Sequence, residues 1–232
     1  MQCKERVCEK AVLNWLFPSY CVQCQNSIAT SLGLCDYCLE DLPLFDFSKH
    51  TSLLHRPDII EMFPNCEFDK LFACAFYQPP FEHWLKRLKF NNQIHYKKAL
   101  QQIIQKQLTQ FFEQSPNLPD TFIILPLHKS RFITRGFNQV SQVWQPCLAN
   151  YAPLSNVLIR DKKTQAQSEL SKAKRIRNLK NAFICTQDMA GKTVAIVDDV
   201  MTTGATLNAA TSALKQAGAK QVWAFTTCLT PI

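Results

Sequence analysis

The chain has 232 residues, 47% of them hydrophobic and 19% charged, with a formal net charge of +8. That length suits one large domain, or a medium domain with a small module, and the apolar content excludes wholesale disorder. No apolar run approaches the roughly 18 residues of a membrane span, and Met1-Gln2-Cys3-Lys4 opens no secretory signal, so a cytoplasmic address is expected.

Residues 1–19 carry a short amphipathic stretch, Val7 to Phe17, stopped by Pro18. It predicts an N-terminal helix that buries Val12, Leu13, Leu16 and Phe17. Residues 20–66 are expected to form a zinc-finger module and a linker. Cys21-Val22-Gln23-Cys24 and Cys35-Asp36-Tyr37-Cys38 are two Cys-x-x-Cys pairs ten residues apart. Each pair offers two thiolates from a tight turn, and Zn²⁺ takes four sulfurs as a closed, structural tetrahedron. Asn26 to Leu34, with Gly33 before the second pair, suits a short hairpin and hence a zinc ribbon. The chain has 11 cysteines, an odd number, and a redox pair would not explain two such motifs. Cys3, Cys8, Cys66, Cys74, Cys147, Cys185 and Cys228 lack any such spacing and read mainly as small buried hydrophobes. Residues 40–66 hold Pro43, Pro57 and Pro64 and read as an irregular linker with at most a short helix, and neither His50 nor His55 has a partner that singles it out.

Residues 67–232 read as an α/β domain with a parallel sheet. Leu71 to Tyr77 is a strand stopped by Pro79-Pro80. Phe81, Trp84, Leu85 and Leu88 recur at helical spacing, with Lys86, Arg87 and Lys89 around them. Tyr96 to Phe112 is a second helix, rich in Gln and Lys. Phe122 to Leu125 is a short buried strand closed by Pro126, and the loop that follows carries Lys129, Arg131 and Arg135 beside Gly136. Basic side chains and exposed amides after a parallel strand suit a pyrophosphate, although the same residues also fit a solvated loop. A helix then runs to about Tyr151. Asn156 to Ile159 and Ala182 to Cys185 are short strands. Between them lies a polar, basic segment with a net charge of +6 from Arg160 to Lys180. Thr164, Gln165, Lys172 and Lys174 belong to it, and it reads as a lid that closes over substrate, or else as a surface loop.

Val194-Ala195-Ile196-Val197 is a continuous apolar run, as in a strand buried on both faces. Asp198 and Asp199 follow at its carboxyl end, then Thr202-Thr203-Gly204-Ala205-Thr206, then a helical pattern from Leu207 to Ala217. The first amides of a helix lack intrachain partners and lie at the positive end of its dipole, so the threonine-glycine turn makes a phosphate cradle. The carboxylates suit neutral hydroxyls or a divalent cation. A diol site beside a phosphate site describes a ribose 5-phosphate. Gln221 to Cys228 is the last strand.

The stretch from Val194 to Thr206 resembles the phosphoribosyl pyrophosphate (PRPP) signature of type I phosphoribosyltransferases. Over residues 18 to 230 the chain also resembles the ComF family. The match rests on the four cysteines, on Pro126-Leu127-His128 with Arg135-Gly136-Phe137-Asn138-Gln139, and on Thr164-Gln165 with Arg177-Asn178 before Phe183. It departs at Asn91, where a glycine is expected after Lys89-Phe90. The resemblance implies a phosphoribosyltransferase fold behind a zinc finger, and a part in handling incoming single-stranded DNA during natural transformation, alongside other competence or recombination proteins. A weaker attribution links the family to gluconate metabolism. It further implies that Asp198 and Asp199 hold the ribose hydroxyls and act in any catalysis, that residues 202–206 hold the 5-phosphate, and that Mg²⁺ bridges ribose and pyrophosphate oxygens.

No residue identifies an acceptor. Two classes therefore stay open: an adaptor that handles single-stranded DNA through a PRPP-type site, and a phosphoribosyltransferase acting on a small-molecule acceptor in nucleotide or sugar metabolism. Phe81, Trp84 and Phe90 among basic residues suit base stacking, and the same spacing suits a core.

Overall fold

Four apolar segments pair into one parallel sheet in the computed structural model, which describes residues 19–29, 32–91, 94–115, 117–127, 137–160 and 182–231. The strands are β3 (Lys70–Phe76), β4 (Thr121–Ile124), β7 (Thr193–Met201) and β8 (Gln221–Leu229), in the order β3-β8-β7-β4. Every pair is parallel, so all four carboxyl ends lie along one edge. The interior strands β7 and β8 are the long apolar runs, as burial on both faces requires.

Pairing registers decide what each face carries. Phe72 stands opposite Phe225, and Phe225 opposite Val197, so these side chains share one face. Helices α4 (Ile94–Gln114) and α5 (Gln139–Leu148) bring Phe111 and Trp144 to that face. The rings of Phe111 and Phe72 lie 5.3 Å from centroid to centroid, and those of Phe111 and Phe225 lie 5.5 Å apart. Trp144 donates its indole N–H to Thr227 Oγ1 at 3.0 Å. Much of the chain's aromatic content is thus spent on one packed layer.

Helix α3 (Phe81–Asn91) follows Pro79-Pro80, and its stripe of Phe81, Trp84, Leu85 and Leu88 is fully buried. Trp84 and Phe81 are therefore core residues that cannot stack on a nucleobase. The helix continues through Asn91, the position where a glycine was expected. Helix α6 (Ala205–Gln216) links β7 to β8. It ends on Gly218 at φ 91°, with Ala219 N–H returning to Leu214 O and Gly218 N–H to Lys215 O. Between β4 and β7, β5 (Leu158–Arg160) and β6 (Phe183–Cys185) form an antiparallel ribbon at either end of the segment read as a lid.

The stretch read as a linker contains helix α2 (Pro57–Met62) and packs into the core. Phe47 stacks on Phe72 at 5.0 Å, and Ser52 Oγ accepts the Leu71 N–H at 3.0 Å. Near the start of the described chain, β1 (Ser19–Tyr20) pairs with β2 (Ser27–Ile28), and helix α1 (Asp36–Glu40) follows. The hairpin therefore closes around the first cysteine pair, where the sequence suggested one between the pairs. Its tight turn sets Gln25 at φ 64° and returns the Gln25 N–H to Cys21 O at 2.9 Å. Residues 1–18, including the expected N-terminal helix, lie outside the described residues.

Candidate functional site

Strand β7 reaches four residues beyond the apolar run, through Asp198 and Asp199 to Met201. The acid pair is thus part of the ladder, with Asp198 opposite Thr226. Successive strand residues face opposite sides, so the two carboxylates are not equivalent. Asp199 shares the parity of Ala195 and Val197 and meets the helices on that side. Its Oδ2 accepts from Lys89 Nζ of α3 at 2.7 Å and from Gln139 Nε2 of α5 at 2.9 Å. Its Oδ1 accepts the Val200 N–H at 2.8 Å. Asp198 Oδ1 accepts the Asp199 N–H at 2.8 Å.

These surroundings split the pair electrostatically. Burial, and then the neighbouring Asp199 charge, push the Asp198 carboxyl up to about 7. Burial acts upward on Asp199 too, but the Lys89 ammonium and the hydrogen bonds from Lys89, Gln139 and Val200 outweigh it and hold that carboxyl below the usual carboxylate range. One member is a committed anion while the other stands near its proton-transfer point at neutral pH.

Beyond Met201 the chain turns through the exposed Thr202 and Thr203 to Gly204, which caps α6 at φ 72°. A Cβ there would sit 3.1 Å from Met201 Cε, in a left-handed conformation that favours glycine. No side chain caps this helix well; Thr203 Oγ1 reaches the Ala205 N–H only at 3.5 Å. The first-turn amides, with the hydroxyls of Thr202, Thr203 and Thr206, remain available to an anion. Acid pair and helix start are thus joined by one short turn at the carboxyl edge of the sheet.

The four expected metal ligands converge. The Sγ atoms of Cys21, Cys24, Cys35 and Cys38 all lie within 4.8 Å of one another, and those of Cys24 and Cys35 are 3.7 Å apart. Thiolates about 2.3 Å from one tetrahedral ion stand about 3.8 Å apart, so the four can hold Zn²⁺. Burial raises the Cys21 thiol, but backbone N–H groups of Cys24, Cys35 and Gln23 outweigh it and bring it down to about 6. Burial and the thiols of Cys35, Cys24 and Cys21 push Cys38 up.

The module is seated on α4. Gln102 Oε1 accepts from the N–H groups of Gly33 and Leu34 at 3.2 and 3.0 Å, and its Nε2 donates to Leu34 O at 3.2 Å. A Cβ on Gly33 would meet Ala99 N at 2.2 Å, so only glycine fits this close approach. The module does not offer a basic surface. Residues 19–42 contain Asp36, Glu40 and Asp41 and no Lys or Arg.

Lys129, Arg131 and Arg135, expected at the pyrophosphate, lie outside the described residues. So do Thr164, Gln165, Lys172 and Lys174 of the expected lid. Sequence reasoning missed Lys89 and Gln139 as site residues. The first was read within a basic face and the second only within a family motif. Of the other cysteines, Cys74, Cys147 and Cys228 are buried, and Cys66 and Cys185 half-buried. Among the described residues no helix is long and apolar enough to cross a membrane.

A family model described as a phosphoribosyl transferase domain matches residues 138–231. DNA utilization protein YhgH of Salmonella typhimurium is 31% identical over 219 residues, covering 90% of each chain. Competence protein F of Haemophilus influenzae is 29% identical over 218 residues, 88% of this chain and 94% of that protein. Competence protein ComFC of Streptococcus pneumoniae is 27% identical over 149 residues, 64% of this chain and 63% of that one. Among solved structures, the glutamine PRPP amidotransferase of B. subtilis overlaps 55% of this chain and 25% of its own at 19% identity and a TM-score of 0.35, too loosely to support any comparison of sites. Similarity to DNA utilization protein YhgH over 90% of both chains shows the family: the chain belongs to the ComF family, together with competence protein F and DNA utilization protein YhgH.

Proposed function

We propose that the chain binds PRPP with Mg²⁺ at the carboxyl edge of β7 and takes part in cytoplasmic handling of single-stranded DNA during natural transformation. The observation that carries the binding reading is the join, through the Gly204 turn, between Asp198-Asp199 and a start of α6 that lacks a close side-chain cap. It sets acceptors for a ribose diol beside amides for a 5-phosphate. The first-turn amides, with the Thr202, Thr203 and Thr206 hydroxyls and the small Ala205, receive the phosphate. Asp198 and Asp199 receive the ribose hydroxyls. Mg²⁺, when bound, offsets charge on the pyrophosphate. On the sequence alone we assign Lys129, Arg131 and Arg135 to the pyrophosphate, and Thr164, Gln165, Lys172 and Lys174 to a lid. Zn²⁺ holds the Cys21, Cys24, Cys35 and Cys38 module together.

The DNA reading is supported by the names of the relatives, competence protein F and DNA utilization protein. It is supported also by the net charge of +6 between Arg160 and Lys180. The zinc module, acidic and free of Lys and Arg, gives it no support.

Titration of the zinc-loaded chain with PRPP and Mg²⁺ tests the binding reading. Saturable binding is expected, and the Asp198→Ala, Asp199→Ala double variant should abolish it together with transformation. A double variant that binds PRPP or transforms normally would refute the assignment. For DNA, binding of an oligonucleotide should weaken steeply with salt, and salt-insensitive or absent binding would refute direct contact.

A further inference from the structure

Asp199 is already occupied. Three donors engage its carboxylate: the Lys89 ammonium and the Gln139 amide on Oδ2, and the Val200 N–H on Oδ1. Lys89 arrives from α3, outside β7 and its loop, and its side chain is 19% exposed, so water and salt screen the pair weakly. Helix α3 is fixed by its own buried stripe, and the lysine is therefore delivered by packing.

We infer that Lys89 is a positioning residue, an internal counter-cation that closes the acid pair to free divalent metal, so that metal enters only with a pyrophosphate-bearing sugar. The inference rests on the reading of the acid pair as a PRPP site. An unpaired carboxylate at this ligand-facing strand end would otherwise attract a hard divalent cation directly from solution. With an ammonium on Asp199 Oδ2, a metal approaching that oxygen meets a fixed positive charge and loses much of the attraction that offsets its dehydration. Mg²⁺ sheds water reluctantly and is commonly held by one or two carboxylates together with substrate phosphates. The phosphates must then supply what the neutralised pair cannot. The ribose hydroxyls, being neutral donors, can reach the outer lone pairs of Asp198 without displacing Lys89.

The arrangement makes metal affinity and sugar affinity separable. Lys89→Met and Lys89→Gln should open the acid pair to metal alone, Lys89→Arg should keep it closed, and Lys89→Met with Asp199→Asn should abolish the new binding. The measurement is Mn²⁺ titration of the zinc-loaded full chain followed by electron paramagnetic resonance, with no sugar present. Wild type and Lys89→Arg are expected to bind weakly, and Lys89→Met about tenfold or more tightly at one site. A purely structural lysine would lower stability without creating a metal site, so thermal melts of each variant accompany the titration. Equal Mn²⁺ affinity in wild type, Lys89→Met and Lys89→Gln would overturn the inference, as would tight binding by wild type. Failure of the PRPP reading shows separately, as absent PRPP binding by wild type with Mg²⁺.

Discussion

Lys89 Nζ lies 2.7 Å from Asp199 Oδ2, with the two side chains 19% and 18% exposed. The ion pair joins a helix that reads as a basic surface to a strand that reads as the floor of a ligand site. It holds Asp199 below the usual carboxylate range, while burial and the Asp199 charge carry Asp198 the other way.

Asp198 should impose a pH dependence on stability. Its carboxyl is carried up to about 7, first by burial and then by Asp199, whereas an unfolded Asp titrates near 3.9. The folded state holds this proton more tightly, so the stabilisation is complete below about pH 4 and lost as pH rises through about 7. Asp199 has the opposite sign: its contribution is present at neutral pH and is lost as pH falls through its lowered value, in a more acidic window. Asp198→Asn should therefore flatten the decline between about pH 5 and pH 8 and raise stability at the upper end by about 1–2 kcal/mol, a figure held down because the side chain is only half-buried. Urea denaturation at both pH values checks this. Parallel pH profiles for variant and wild type would remove Asp198 as the source.

Gly204→Ala should strain the turn between the acid pair and α6. Its φ of 72° and the 3.1 Å approach to Met201 Cε together predict a loss of about 1–2 kcal/mol. PRPP binding should fall by more than the stability loss accounts for, because the first-turn amides shift with the turn. A calorimetric titration of the folded variant reads this directly.

Zinc should be structural, at one ion per chain. Its removal by a strong chelator should lower the melting temperature, and Cys38→Ser should lower zinc content with it. Gln102→Ala removes three hydrogen bonds from the seat of the module on α4 and should cost about 1–3 kcal/mol while leaving zinc in place. Elemental analysis with a thermal melt separates the two outcomes. Zinc lost from the Gln102 variant would mean that the site depends on its seat to form.

Trp84→Ala should cost about 3–5 kcal/mol, as expected for an aromatic ring 2% exposed. Any weakening of DNA binding should then track unfolding. A Trp84 variant of unchanged stability that binds single-stranded DNA less well would restore the stacking role that burial rules out.

The main strands and helices were legible because their signals are local. β-branched runs marked β7, helical spacing marked α3, and proline pairs marked ends. The four cysteines were legible because metal geometry constrains spacing. What could not be read were contacts made across the sheet. Lys89 stands on α3 among other basic residues, and nothing in Lys86-Arg87-Leu88-Lys89 distinguishes the one that meets a carboxylate from those that meet water. Gln139 is 60 positions from Asp199 and reaches it only because β4 lies beside β7 and delivers α5 above it. The hairpin was displaced because the turn at Gln25 needs a left-handed residue, and a glutamine gives no hint of that. The segment from 45 to 63 looked irregular, and outside α2 it holds only one 3-10 turn; its lack of periodicity concealed Phe47 and Ser52, which bind it to β3.

The missing Cβ of Gly33 has a practical consequence for anyone building chimeras in this family. The cysteine module touches α4 at Ala99 with backbone against backbone, and Gln102 reads the amide and carbonyl groups on either side. A transplanted module would need a recipient helix with small bulk and a glutamine one turn apart at matching height. Exchange of the first 66 residues alone would carry the metal ligands and leave their mould behind.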